Sequence, residues 1–312
     1  MEKAIILLGP TGVGKTAVSI LLAQSLETEI ISADSMQIYR HMDIGTAKPT
    51  ARERRTVKHH MIDVIEPWET YSAGEYVKAV RPLIDSLIGR GKTPVITGGT
   101  GLYIKAMTRG LFSGPSADWT IRNELLRGEE AEPGSLYEHL KKLDPEAAVK
   151  IMPADTRRII RALEVCMKSS RAISELHRKL TKPLPYEFLK IGLARERKEL
   201  YRMIEERVDA MMGQGLVEEV RNVLELISEK EGSRAAELSS MQAIGYKEIA
   251  MHLSGEIGLD EAVALIKQRT RNYAKRQLTW FRKEEGIRWV DVTGMHKAGE
   301  IFGKIREAIR IG

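Results

Sequence analysis

Cysteine is almost absent from this chain of 312 residues. Cys166 stands alone, which excludes an internal disulfide and any zinc site built only of thiolates. It falls in the apolar pattern of an expected helix, so a core thiol explains it better than a nucleophile. Long hydrophobic runs are also missing: no segment approaches the roughly twenty apolar residues of a membrane span. Aromatic residues make up only 5% of the chain against 13 methionines, the composition of an adaptable core. The N-terminus enters an apolar strand within three residues, leaving no room for a cleavable signal. These absences lead to the expectation of a cytoplasmic monomer with no membrane partner. The length suffices for one large domain or two modest ones. A net charge of +6 favours a polyanionic partner, provided the charge is concentrated.

What the sequence does contain is a phosphate-binding loop. Gly9-Pro10-Thr11-Gly12-Val13-Gly14-Lys15-Thr16 follows the apolar run Ala4 to Leu8 and opens a helical segment. A buried strand delivering the chain to such a turn lets backbone N–H groups converge on an anion at the positive end of the next helix. Lys15 adds a charge that reaches phosphate oxygens. Thr16 adds a hydroxyl able to hold Mg²⁺ or to donate to a leaving oxygen. The loop alone does not say whether the phosphates belong to a nucleotide or to another diphosphate.

Further apolar segments alternate with helical ones. Glu29 to Ala33, His60 to Val64 and Thr93 to Thr97 read as strands, and Ala73 to Gly89 as a helix. This alternation predicts an α/β fold, a P-loop NTPase-like parallel sheet. In such a sheet the loops at the carboxyl ends of the strands surround the ligand, so Asp34 should face the phosphate loop. Residues 113–185 show helical segments and no convincing strand, with Gly- and Pro-rich flanks, and read as an all-helical insertion domain. The core then comprises 1–112 and 186–312, where the strand Phe188 to Ala194, long helices, the strand Ile287 to Val292 and a last helix complete the pattern.

The positive charge is concentrated. Lys267, Arg269, Arg271, Lys275, Arg276, Arg282, Lys283 and Arg288 face only Glu284 and Glu285, with Tyr273, Trp280 and Phe281 interleaved. This mix suits phosphate contacts plus stacking on splayed bases. A solvated helix face is the competing explanation. A second cluster in the insertion, Arg157, Arg158, Arg161, Lys168 and Arg171, favours a nucleic acid held between two domains.

A kinase would need an acidic residue at a second strand end to position Mg²⁺. Thr93 to Thr97 instead runs into Gly98-Gly99-Thr100, although Asp34 or Asp63 could serve. Asp34 is a helix cap in the plain reading and a candidate base once a phosphate loop faces it. His59 and His60 alternate across a strand and cannot share a metal. Thr46 and Lys48 either shape a turn or help bind anions.

The motifs GPTGVGKT, DSMQIYR, DIGTAKP, GGTGLY, RRIIRALEV, AIGYKEI and KRQLTWFR, in this order, resemble those of the tRNA dimethylallyltransferases from Ile5 to about Trp289. The resemblance implies transfer of a dimethylallyl group from dimethylallyl diphosphate to N6 of the tRNA adenosine immediately 3′ of the anticodon, with Mg²⁺. It implies Asp34 as general base, and Lys15, Thr16 and the loop around the departing pyrophosphate. Arg221 follows as a diphosphate contact, with a surface ion pair as the competing explanation. For tRNA it implies Asp34, Ser35, Met36, Gln37 and Thr100; Arg122, Arg157, Arg158 and Arg161; Met241, Gln242, Gly245 and Tyr246; and Lys275, Arg276, Gln277, Trp280 and Arg282. The insertion would clamp the anticodon stem-loop. The zinc-finger extension of part of the family is not expected here, and neither is a metal beyond Mg²⁺. The readings that compete with this one are a P-loop nucleotide or small-molecule kinase and a non-catalytic P-loop RNA-binding protein.

Overall fold

The structure is a computed structural model that describes residues 3–112, 114–115, 117–231 and 238–310. It divides into two compact units, one of residues 1–104 with 185–312 and the other of residues 105–184.

The first unit is built on six parallel strands. They are β1 (Lys3–Leu8), β2 (Ile30–Ser32), β3 (His59–His60), β4 (Val95–Gly98), β5 (Glu187–Ala194) and β6 (Ile287–Asp291), in the order β3-β2-β4-β1-β5-β6. β1 runs at the centre and is buried from Ala4 to Leu8, as a strand covered by helices on both faces requires. α1 (Lys15–Ser25), α10 (Arg197–Gly213) and α14 (Ala298–Arg310) pack with the sheet in one apolar core that includes Val18, Leu22, Ile204 and Ile305. α3 (Ala73–Gly89) is started by a capping box in which Ser72 and Glu75 satisfy each other's backbone N–H. A second core joins Ile38, Tyr39 and Met42 to α11 (Leu216–Glu231), α12 (Tyr246–Leu253) and α13 (Leu259–Phe281). This is the P-loop NTPase-like α/β core.

The second unit contains α5 (Trp119–Ala131), α6 (Ser135–Leu143), α7 (Pro145–Lys150), α8 (Thr156–Ser169) and α9 (Ile173–Leu180) around Leu136, Leu140, Ile159 and Leu163. Cys166 is buried on α8. Among the described residues, no helix is long and apolar enough to cross a membrane.

One local expectation changes. The strand expected from His60 to Val64 shrinks to His59–His60, because Met61 and Asp63 take positive φ values of 62° and 56° and turn the chain out of the sheet. The glycine-rich segment after Thr97 leads into α4 (Gly101–Thr108). There the glycine serves close approach: a Cβ on Gly101 would lie 2.4 Å from the Trp280 ring.

Gly98 is tighter still, since a Cβ there would lie 2.1 Å from the Ala33 carbonyl oxygen. Gly98→Ala must therefore push β2 from β4, and it should destabilise the fold by about 1–3 kcal/mol or more. Urea denaturation followed by circular dichroism measures the loss, and an unchanged midpoint would contradict the packing described.

Candidate active site

Strand register brings three segments to one end of the sheet. Leu8 lies opposite Gly98, and Ser32 opposite Thr97, so the chain leaves β1, β2 and β4 at a common level. Ala33 N–H donates to Thr97 at 2.7 Å and Thr100 N–H donates back to Ala33 at 3.1 Å. The phosphate loop, Asp34 and the Gly99–Thr100 turn consequently surround one site, as the carboxyl ends of parallel strands do in open α/β sheets.

Gly14, at φ 100°, ends the loop in a left-handed conformation and hands the chain to α1, whose first backbone N–H groups have no intrahelical partner. Lys15 folds back over the loop and its ammonium donates to Gly9 at 2.9 Å and Pro10 at 2.8 Å. Burial lowers its pKa to about 7; the Asp34 carboxylate opposes this and the Arg207 guanidinium reinforces it.

Arg207 is the residue that sequence reasoning missed. It projects from α10 to Thr11 Oγ1 at 3.4 Å, and burial lowers its pKa while Asp34 opposes. α10 sits against the loop because its apolar face, Leu200 and Ile204, packs on Gly12. The only sequence signal was a cation beside that apolar stripe. Arg221, by contrast, pairs with Glu218 on the exposed side of α11. The surface ion pair is therefore the reading that describes Arg221, and Arg207 is the arginine set beside the loop.

α13 reaches the same site. Gln277 is buried and bridges the loop to the glycine turn, accepting from Thr11 N–H at 2.8 Å and donating to Gly99 at 2.9 Å. Burial, with the nearby Asp34 charge, raises the pKa of Tyr273. The basic run divides along the helix: Lys267, Arg269 and Arg271 pair with Asp209, Glu248 and Glu205. Beyond them Lys275, Arg276 and Lys283 are exposed and, with Asn272, Thr279 and Trp280, line a groove of about 460 Å³. Arg282 is exposed as well.

The segment after β2 is held on several sides. Asp34 Oδ1 accepts Met36 N–H at 2.9 Å, and Ser35 N–H donates to Thr100 Oγ1 at 2.9 Å. The Gln37 amide accepts from Ser32 at 3.0 Å and donates to Thr46 and Ala47 at 3.3 and 3.2 Å. Lys48 is buried and its ammonium contacts Tyr39 O, Asp43 and Asp63 at 2.6 Å each, while Thr46 donates to Met42. Both residues shape the turn and leave no free cation for an anionic ligand. Asp63 also takes Arg54, so it is committed away from a metal. His60 pairs with Glu29, and His59 contacts Val57.

Several residues carried over for tRNA lie inside the protein. Met241 is 1% exposed, Tyr246 is fully buried with its phenol on Glu219, and Gly245 is buried; only Gln242 of the four faces solvent. Gln277 is occupied by its bridge. Arg122 and Arg161 both bind the buried Glu164 in the helical unit. Arg157 and Arg158 are exposed, the latter paired with Asp155. Of the residues carried over for tRNA, Gln242, Arg157, Arg158, Lys275, Arg276, Trp280 and Arg282 are the exposed ones. Among the described residues, no group of three His, Cys, Asp or Glu side chains could hold a metal.

The model of the IPP transferase family matches residues 37–284. A protein of Thermodesulfovibrio yellowstonii named tRNA dimethylallyltransferase is 57% identical over 99% of this chain and 98% of its own length. A protein of the same name from Thermotoga maritima is 47% identical over 98% of each chain. Among solved structures, the full-length tRNA isopentenylpyrophosphate transferase of Bacillus halodurans is 40% identical, with TM-score 0.69 over 100% of this chain and 99% of its own. A eukaryotic dimethylallyltransferase acting on tRNA is 30% identical, with TM-score 0.83 over 99% of this chain and 79% of its own.

The arginine assignment has a direct test. Arg207→Ala should weaken inorganic pyrophosphate binding about 10- to 100-fold, the effect of losing a charge-assisted contact, whereas Arg221→Ala should leave it within twofold; calorimetry distinguishes them. The Lys15 environment makes a second prediction. With a pKa near 7 the free site is largely neutral at Lys15 at pH 8, and a bound diphosphate favours the charged form. Binding at pH 8 should therefore take up close to one more proton in the natural protein than in Lys15→Arg, read from the dependence of binding heat on buffer ionisation enthalpy.

Proposed function

The chain belongs to the tRNA dimethylallyltransferase family, and from that premise we propose that it moves the dimethylallyl group of dimethylallyl diphosphate onto N6 of the adenosine at tRNA position 37, in the cytoplasm. The observation that carries this reading is the meeting of a phosphate loop with Asp34, Lys15 and Arg207 at one sheet end. A carboxylate inside a diphosphate cradle opposes phosphate binding unless it has chemistry to do.

In this reading the C1–O bond of the prenyl diphosphate breaks, a bond from N6 to C1 forms, and pyrophosphate departs intact. The exocyclic amine is a poor acid, so its proton leaves as positive charge develops on nitrogen. Asp34 takes it. Oδ1 is held by Met36 N–H, which fixes the carboxylate and leaves Oδ2 for the proton. The N–H groups of the loop, Lys15 and Arg207 stabilise charge on the departing pyrophosphate, the largest electrostatic demand of the reaction. Thr16 donates to the bridging oxygen, or its hydroxyl would hold Mg²⁺. Among the described residues no carboxylate cage surrounds the site, and the Thr16 hydroxyl with the Asp34 carboxylate would suit a hard oxygen-seeking cation. Bound there, Mg²⁺ neutralises diphosphate charge.

The RNA side of the site falls to the groove on α13, where exposed Lys275 and Arg276 flank Trp280. The target base leaves the anticodon-loop stack to reach the prenyl group. The helical unit contributes Arg157 and Arg158 and is proposed to grip the stem-loop. A kinase reading is not favoured, since β4 runs into glycine and Asp63 is bound by Lys48 and Arg54.

Incubation with unmodified tRNA, dimethylallyl diphosphate and Mg²⁺, beside a parallel reaction with ATP, tests the reading by mass analysis of the nucleosides. Prenylated adenosine at position 37 without ATP turnover is expected. Asp34→Ala should slow transfer about 10²- to 10⁴-fold with tRNA affinity nearly unchanged. ATP turnover without prenyl transfer would sink the proposal.

A further inference from the structure

The loop from Asp43 to Lys48 presents three successive backbone N–H groups, an arrangement that ordinarily holds an anion. Here the anion is supplied by the chain itself. Glu219 of α11 accepts Asp43 N–H at 2.9 Å, Ile44 N–H at 2.7 Å and Gly45 N–H at 3.0 Å. The buried Tyr246 phenol donates to the same carboxylate, and its ring lies so close that a Cβ on Gly45 would stand 2.4 Å from it. The loop is thus fastened to α11 and α12 from outside.

From inside, the same loop holds the segment that carries Asp34. Its carbonyls at Thr46 and Ala47 accept from the Gln37 amide nitrogen, and its Lys48 ammonium donates to the Tyr39 carbonyl. Gln37 in turn receives the Ser32 hydroxyl at the end of β2. Asp34 therefore lies between the end of β2 and a stretch, Gln37 to Tyr39, that this loop holds, and Glu219 fastens the loop's first three residues.

We propose that Glu219 is a positioning residue for the reaction: by filling the Asp43–Gly45 nest it fixes the loop that holds Gln37 and Tyr39, and so sets the Asp34 carboxylate against the phosphate loop. It touches no substrate. The inference rests on the prenyl-transfer reading for its catalytic consequence, and on geometry alone for its mechanical one.

The test separates the two. Hydrogen exchange of the intact Glu219→Ala protein should show lost protection in the peptides spanning 43–48 and 34–37, with the phosphate loop unchanged. Under single-turnover conditions with saturating tRNA and dimethylallyl diphosphate, the same variant should transfer at least tenfold more slowly, with pyrophosphate affinity within twofold. Glu219→Gln, which keeps acceptor oxygen for the nest, should recover to within about threefold of the natural rate. In an Asp34→Ala background, Glu219→Ala should add no further loss, because its effect runs through Asp34. Equal losses in both backgrounds, or unchanged exchange at 34–37, would overturn the inference. A natural protein that transfers no prenyl group would instead overturn the activity reading, and the exchange result would still decide whether Glu219 fixes the Asp34 segment.

Discussion

Two cations and one anion share the site, and the balance among them organises the rest of the molecule. Lys15 and Arg207 are both shielded from water, which disfavours their charge, and the Asp34 carboxylate offsets that penalty for both. With two cations to one carboxylate, the site has positive charge in excess, which an anionic ligand would balance. The three groups come from β1's loop, α10 and the end of β2, so each depends on a different tertiary contact. Register between β1, β4 and β2 fixes two of them, and the packing of Ile204 on Gly12 fixes the third.

Several polar side chains around the site are fasteners within the protein. Gln277 ties the phosphate loop to the glycine turn, Lys48 ties three carboxylate and carbonyl groups together, and Glu219 closes a backbone nest. Each is a side chain whose hydrogen-bonding capacity is used within the protein. That arrangement suits a site whose charged groups must not relax toward one another when no substrate is present, because preorganised dipoles are most effective when they do not reorient. It also accounts for the residues of AIGYKEI that have no exposed surface: Tyr246 and Ile249 lie in the core that joins α11 and α12 to the segment after β2.

The basic helix shows how charge count and charge availability differ. Three of its cations are neutralised by Asp209, Glu205 and Glu248 on neighbouring helices, and these pairs hold α13 to α10 and α12. Of the exposed remainder, Lys275, Arg276 and Lys283 line the groove beside Trp280. The same sorting applies in the helical unit, where Glu164 gathers Arg122 and Arg161 while Arg157 and Arg158 remain on the surface.

Local chemistry was legible in the order of residues. The phosphate loop, the alternation of buried strands with helices, the helical block after Leu111 and the placement of Asp34 at a strand end all follow from period, turn chemistry and motif context, which are short-range properties. What lay beyond reach depended on long-range packing. Arg207 and Arg221 are both arginines on amphipathic helices, and only the seating of α10 on Gly12 decides that the first meets the site while the second pairs with Glu218. His59 and His60 form a strand of two residues because the chain must turn so that Asp63 can meet Lys48 and Arg54. The sequence by itself determined the fold class and the anion cradle; tertiary structure decided which charges face that cradle, since a side chain's partner is set by packing between elements far apart in the chain.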